Sequence, residues 1–252
     1  NLVKLYAYLY EPVEKDVTDK QVIAFIPTGI LNYIPFPALA RESGGKLEYL
    51  AERKQSVTLL KSSDLDQLDN SPARKQGPVL AVGNPDGSLP AASAEVTRVA
   101  ALFPDNAVFL GPQATRDKLS QLQGVSVLHL ATPNPSLVLD YYRSARHWHN
   151  YEMSYLLLAG SKLAMPQIYD MKLNGVRLVT LSACQTALGE RDPGSELQSL
   201  ADAFSIAGSN SVVASLWSVS DASTSELMLE FYKQLKAGAS LAAALQAAEL
   251  KL

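Results

Sequence analysis

Apolar positions along the chain fall into two alternating patterns, short continuous runs and longer stretches with helical spacing. Continuous Val/Ile/Leu/Ala runs at 22–27, 79–83, 107–110, 125–131, 176–183 and 211–216 predict strands, most of them buried on both faces. Between them, 94–103 places Val96, Val99, Ala100 and Phe103 on one helical face and stops before Pro104. A helix over 115–122 follows, with Thr115 as its N-cap. Residues 196–207 align Leu197, Leu200, Ala201, Phe204 and Ala207 on one stripe that ends at Gly208. Ser223-Thr224-Ser225-Glu226 reads as a capping box opening a helix that buries Leu227, Phe231 and Leu235. Ser240 caps a last helix whose stripe is Leu241, Leu245, Ala248 and Leu252. Alternating strands and helices predict the α/β class, with a mostly parallel sheet covered by helices on both faces.

Two segments interrupt the pattern. Residues 62–77 are polar, centred on DLDQLDNSPARKQG, and are expected to form an exposed connection. It would join an N-terminal lobe, 1–61, to the main sheet, 78–252, within a single domain spanning 1–252. Residues 133–153 (PNPSLVLDYYRSARHWHNYEM) are aromatic, basic in the middle and without clear period. Loops of that length in a compact domain are usually functional or mobile.

Composition narrows the function classes. Of the 252 residues, 47% are hydrophobic and 19% charged, which is a globular balance. The net charge is -3 and no basic run exceeds Arg74-Lys75, which argues against nucleic acid as the main partner. The longest apolar runs are strand-sized, far below the roughly 20 residues of a membrane helix. No targeting leader is expected from the first residues, and both ends read as parts of helices, so the chain is expected to be a piece of a longer protein. A single cysteine excludes an internal disulfide and a cysteine-based zinc site, and points to the cytoplasm.

That cysteine, Cys184, follows the apolar run in VRLVTLSACQTALGE. Nucleophiles and ligands of open α/β sheets lie at carboxyl ends of strands. The small residues after it could turn backbone amides toward a developing oxyanion. A buried structural cysteine is the competing reading. His129, inside SVLHLAT, reads mainly as a neutral core histidine, because burial disfavours its charged form. His147 and His149 lie in the aromatic loop as RHWHN, and without acidic or thiol neighbours they make a weak metal site. AVGNPDGSLP is neither GxGxxG nor a P-loop and reads as a tight turn before a helix. Asp221 could meet a cationic substrate group or act as a helix-start acid, the second being the commoner role.

LVTLSACQTALGE and GSELQSLADAFSIAGSNSVVASLWSVSDASTSELMLEFYKQLKAGASLAAALQAAEL resemble the C-terminal half of CHAT domains. VIAFIPTGILNYIPFPAL, PVLAVGNPDGSLPAASAEV, VLHLAT and SYLLLAGSKLAMPQIYDMKL resemble its earlier parts, so the likeness covers almost the whole chain. The resemblance implies a bacterial, caspase-like fold and a cysteine–histidine peptidase mechanism with Cys184 as nucleophile. It also implies TPR repeats elsewhere in the same longer chain, activity held in check until a protein partner binds, and a protein or peptide substrate. The family's histidine follows VLHLAT in a His-Gly pair, whereas this chain has Pro133-Asn134. Backbone N–H groups at Cys184 and Asn134 would be the oxyanion donors, and Asp221 with Trp217 would line the specificity pocket.

A cysteine of ordinary pKa is mostly thiol at neutral pH, and a paired imidazole both activates it and protonates the leaving amine. Pro133 can do neither. The leading expectation is a hydrolase homologue with impaired or absent proteolysis, a pseudoenzyme acting as a regulatory or interaction module. The alternative is an active cysteine endopeptidase using His147, His149 or His129 as substitute base. A small-molecule binder at the strand ends is a third reading, by fold analogy. No cofactor or metal is expected.

Overall fold

The longest apolar runs assemble into one parallel sheet. A computed structural model of the chain describes residues 1–65, 77–120, 122–133, 155–182, 195–215 and 221–252, with only the backbone described for 195–199 and 221. The strands are β1 (Val22–Phe25), β2 (Ala40–Ser43), β3 (Lys46–Tyr49), β4 (Gln55–Thr58), β5 (Val79–Gly83), β6 (Asn106–Leu110), β7 (Val127–Ala131), β8 (Tyr155–Leu158), β9 (Ser161–Ala164), β10 (Leu178–Leu181) and β11 (Val212–Ala214). The α-helices are α1 (Leu2–Leu9), α2 (Leu50–Arg53), α3 (Pro90–Ala100), α4 (Arg116–Leu119), α5 (Met165–Tyr169), α6 (Ser195–Ile206), α7 (Asp221–Lys236) and α8 (Leu241–Glu249).

Five strands form the sheet, in the order β11-β10-β7-β5-β6, and every neighbouring pair is parallel. The chain steps outward from β5 to β6, then returns to β7 on the other side of β5. This is a doubly wound order, and its topological switch point lies between β5 and β7.

Side chains alternate between the faces of a strand. Leu80, Val82, Leu128, Leu130, Val179 and Leu181 lie on one face, packed with Leu119 of α4, Ile168 of α5 and Leu200 and Phe204 of α6. The alternate residues face α3. A Cβ on Gly83 would stand 2.7 Å from Val96 Cγ2 and 3.2 Å from Ala131 O, so glycine lets α3 settle onto the end of β5. Helices thus cover both faces, as the α/β pattern predicts.

Helix starts differ from the pattern by two residues or more at two places. α3 opens at Pro90, because proline suits the first helical position and has no N–H to leave unpaired. α7 opens at Asp221, two residues before Ser223, so Ser223 sits inside the helix rather than capping it. An acid in the first turn is favoured by the helix dipole. Ser240 does cap α8, its hydroxyl accepting from Ala243 N–H at 3.2 Å.

The described chain divides into two compact units, Lys75–Leu229, which holds the sheet, and Asn1–Arg74 with Glu230–Leu252. The latter contains the parallel pair β1–β4 and the hairpin β2–β3. Gly44 and Gly45, at φ 58° and 78°, form the two-residue turn between Ser43 and Lys46, a geometry glycine adopts freely. Its core groups Tyr6, Tyr10, Phe36, Leu39 and Leu50, with Phe25 stacked on Phe36 at 4.0 Å between ring centroids. Neither this hairpin nor the β8–β9 hairpin is among the elements expected from the apolar runs. Among the described residues no helix is long and apolar enough to cross a membrane.

Candidate functional site

In a doubly wound sheet chemistry concentrates at the carboxyl ends of the strands beside the switch point. Here those ends are Gly83-Asn84 after β5, Thr132-Pro133 after β7 and Ser182 after β10. Asn84 adopts a left-handed conformation, φ 47°, which asparagine tolerates better than most side chains. Its N–H donates to Ala131 O at 3.0 Å, extending the pairing of β5 with β7 by one bond. Its side chain then organises the turn into α3. Oδ1 accepts from Leu89 N–H and Nδ2 donates to Ser93 Oγ, both at 2.9 Å.

Pro133 is buried, and its carbonyl accepts from Leu157 N–H of β8 at 2.9 Å. The strand end that follows HLAT is therefore anchored by backbone and presents a pyrrolidine ring, with no group able to take or give a proton. Thr132 is 1% exposed, and its hydroxyl has no partner among the described residues.

Beneath these ends lies a buried polar cluster. Glu95 follows Ala92 by three residues and precedes Val99 by four, which puts it on the inward stripe of α3. It is 1% exposed. The Ser182 hydroxyl, just past β10, donates to Glu95 Oε1. His129 of β7 is fully buried, with Nε2 2.9 Å from the same oxygen, a close contact not aligned as a hydrogen bond. Thr180 sits beside His129 in the register of β10 on β7. Glu95 Oε2 has no partner among the described residues. A carboxylate out of water is costly unless paired, and here one oxygen meets both a hydroxyl and an imidazole.

Sequence reading missed Glu95 and Ser182. Both leave a signal: a charged residue at a core position of a helix, and a Thr-x-Ser alternation in an otherwise aliphatic strand. Of the residues singled out from sequence, His129 lies within β7 in this cluster. Asp221 is the first residue of α7, with its side chain not described. Cys184, Asn134, His147, His149 and Trp217 lie outside the described residues. Among the described residues no group of three or more His, Cys, Asp or Glu is placed to hold a metal ion.

On the outer surface of α3, Arg98 pairs with Glu226 of α7 at 2.6 Å. The Glu226 carboxylate raises the Arg98 guanidinium above its ordinary range. Exposed pairs of this kind contribute little to stability.

The family model described as CHAT domain matches residues 1–252. Among curated proteins no sequence matches this one.

Proposed function

The chain belongs to the CHAT-domain family over residues 1–252, a caspase-like, peptidase-related family, and from that premise we propose that it is a cysteine-peptidase homologue whose proteolysis is impaired or absent. In this reading it works as a regulatory or interaction module. Cys184 falls on the family's nucleophile position in SACQT. The observation that carries the reading is Pro133 at the position of the family's histidine, with its carbonyl committed to Leu157 N–H. Without an imidazole there, a thiol of ordinary pKa is only a few per cent thiolate at neutral pH. Loss of the base in nucleophile–base systems costs several orders of magnitude in rate.

His129 favours the same reading. It is buried against Glu95 in the body of β7, four residues before Pro133, and its side chain is 0% exposed. Asp221 and Trp217 are the proposed lining of a peptide-binding pocket, and backbone N–H groups of Cys184 and Asn134 its oxyanion donors. A protein partner, TPR repeats in the same longer chain, a bacterial source and a cytoplasmic setting complete the proposal.

The test is cleavage. The chain, with and without Cys184→Ala, is incubated with a proteome-derived peptide library, and new termini are read by mass spectrometry. We expect no cleavage that depends on Cys184. Specific cleavage lost in Cys184→Ala overturns the inactive reading, and its further loss in His147→Ala or His149→Ala assigns the aromatic loop as the source of the base.

A further inference from the structure

We propose that Glu95 is a positioning residue that sets the end of β10, and with it the start of the Cys184 segment, relative to β7. The proposal rests on the reading of Cys184 as the residue that carries the family's chemistry. Pairing of β10 with β7 ends at Leu181 beside Leu130, and one further bond joins Ser182 N–H to Leu130 O at 2.9 Å. On its other side β7 has an additional tie, from Asn84 N–H to Ala131 O. The end of β10 has a second tie, through a side chain: the Ser182 hydroxyl donates to Glu95 Oε1.

Glu95 is suited to this because α3 is not part of β10. The helix packs on β5, β6 and β7, and Glu95 Oε1 stands 2.9 Å from His129 Nε2. A single oxygen thereby links the residue just past β10 to the middle of β7 and to a helix seated on the switch point. Ser182, Glu95 and His129 are each 0–1% exposed, so water does not compete for these contacts. A hydrogen bond to a carboxyl oxygen in such surroundings is short-ranged and directional, and it orients its donor.

Net stability is a poor account of the cluster. Buried charged and polar groups can often be exchanged for well-packed apolar ones with no loss, and the opposite face of the same sheet packs apolar side chains such as Leu80, Leu128, Leu130 and Leu181. What the aliphatic face cannot supply is a fixed hydroxyl direction two residues before Cys184.

The chain has one cysteine, so alkylation by iodoacetamide followed by intact mass reports one site. The rate is measured from about pH 6 to about pH 10 on the native chain and on Ser182→Ala, Ser182→Thr and Glu95→Gln, each checked for native near-UV circular dichroism. Positioning by Glu95 predicts that Ser182→Ala and Glu95→Gln displace the rate profile by more than about threefold, while Ser182→Thr, which keeps the hydroxyl, stays within that margin. A merely structural cluster would lower the thermal midpoints and leave the profiles of the folded proteins superimposable. Superimposable profiles for both Ser182→Ala and Glu95→Gln overturn the proposal. Cleavage that depends on Cys184 would overturn the inactive reading and leave this result standing.

Discussion

Two groups of polar side chains in this protein, each centred on a glutamate, are placed in opposite settings. In the sheet unit, Glu95 meets Ser182 and His129 at 0–1% exposure. In the N-terminal unit, Glu14 accepts from Arg53 at 2.6 Å and Arg41 at 2.8 Å, Arg41 also pairs with Glu48 at 2.6 Å, and Arg53 donates to Tyr6 Oη at 2.6 Å. Tyr6 is 3% exposed, but the four charged side chains are 18–38% exposed, so water can replace a lost ion-pair partner. Water cannot do so beneath α3. The partners of a glutamate are therefore a stringent constraint in one unit and an exchangeable one in the other.

The largest expected effect is in the buried cluster. Glu95→Ala leaves the Ser182 hydroxyl and the His129 ring without their shared oxygen and opens a cavity. We expect a loss of about 3–5 kcal/mol in urea unfolding at neutral pH. A loss below about 1 kcal/mol, the scale of a surface pair, would erase the contrast between the two groups.

Glu249 is intermediate. It lies near the end of α8 in the N-terminal unit, and burial alone pushes its carboxyl up to about 7. A carboxyl raised in the fold is protonated there while the unfolded chain has already ionised. Stability contributed by the neutral form is complete below the ordinary value near 4.5 and is lost as pH rises toward 7. Glu249→Gln should therefore be more stable than the native chain at about pH 8, by on the order of 1–3 kcal/mol, and indistinguishable from it at about pH 4. Equal midpoints for the two proteins at the higher pH would show that Glu249 is solvated.

Glu14→Gln should have the smallest effect. Burial acts to raise the Glu14 carboxyl, but hydrogen bonds from Arg53 and Tyr6 and the two guanidinium charges outweigh it and hold it below the ordinary range. The sign is opposite to that of Glu249: the stabilisation is complete above the ordinary carboxylate value and is lost as pH falls through the lowered one. We expect about 1 kcal/mol at neutral pH, diminished by salt, and a shallower acid limb in the variant. A salt-insensitive loss of several kcal/mol would place this network with the buried cluster.

Much of the fold was legible in the sequence for a local reason. An apolar run of five residues cannot face water on either side, so 79–83 announces a central strand without any knowledge of its neighbours, and β5 spans those residues. β4 was not legible. Its QSVT has no apolar run, and it is a strand only because β1 pairs with it, Val22 beside Gln55. The hairpin at Gly44-Gly45 had a turn signal that apolar runs do not capture. At the candidate site, only the family resemblance set Pro133 against the family's histidine, and Cys184 stood out as the single cysteine.

By itself the sequence determined the α/β class, the family and the residue types at the strand ends, because burial pattern and motif spacing are written along the chain. Tertiary structure decided which residues meet. Positions 95, 129 and 182 are far apart in sequence and carry no mutual signal. They converge because β10 pairs in parallel with β7, aligning Thr180 with His129, and because Gly83 lets α3 settle over the same strand ends. Register and close packing are properties of pairs of elements, and no single segment encodes them.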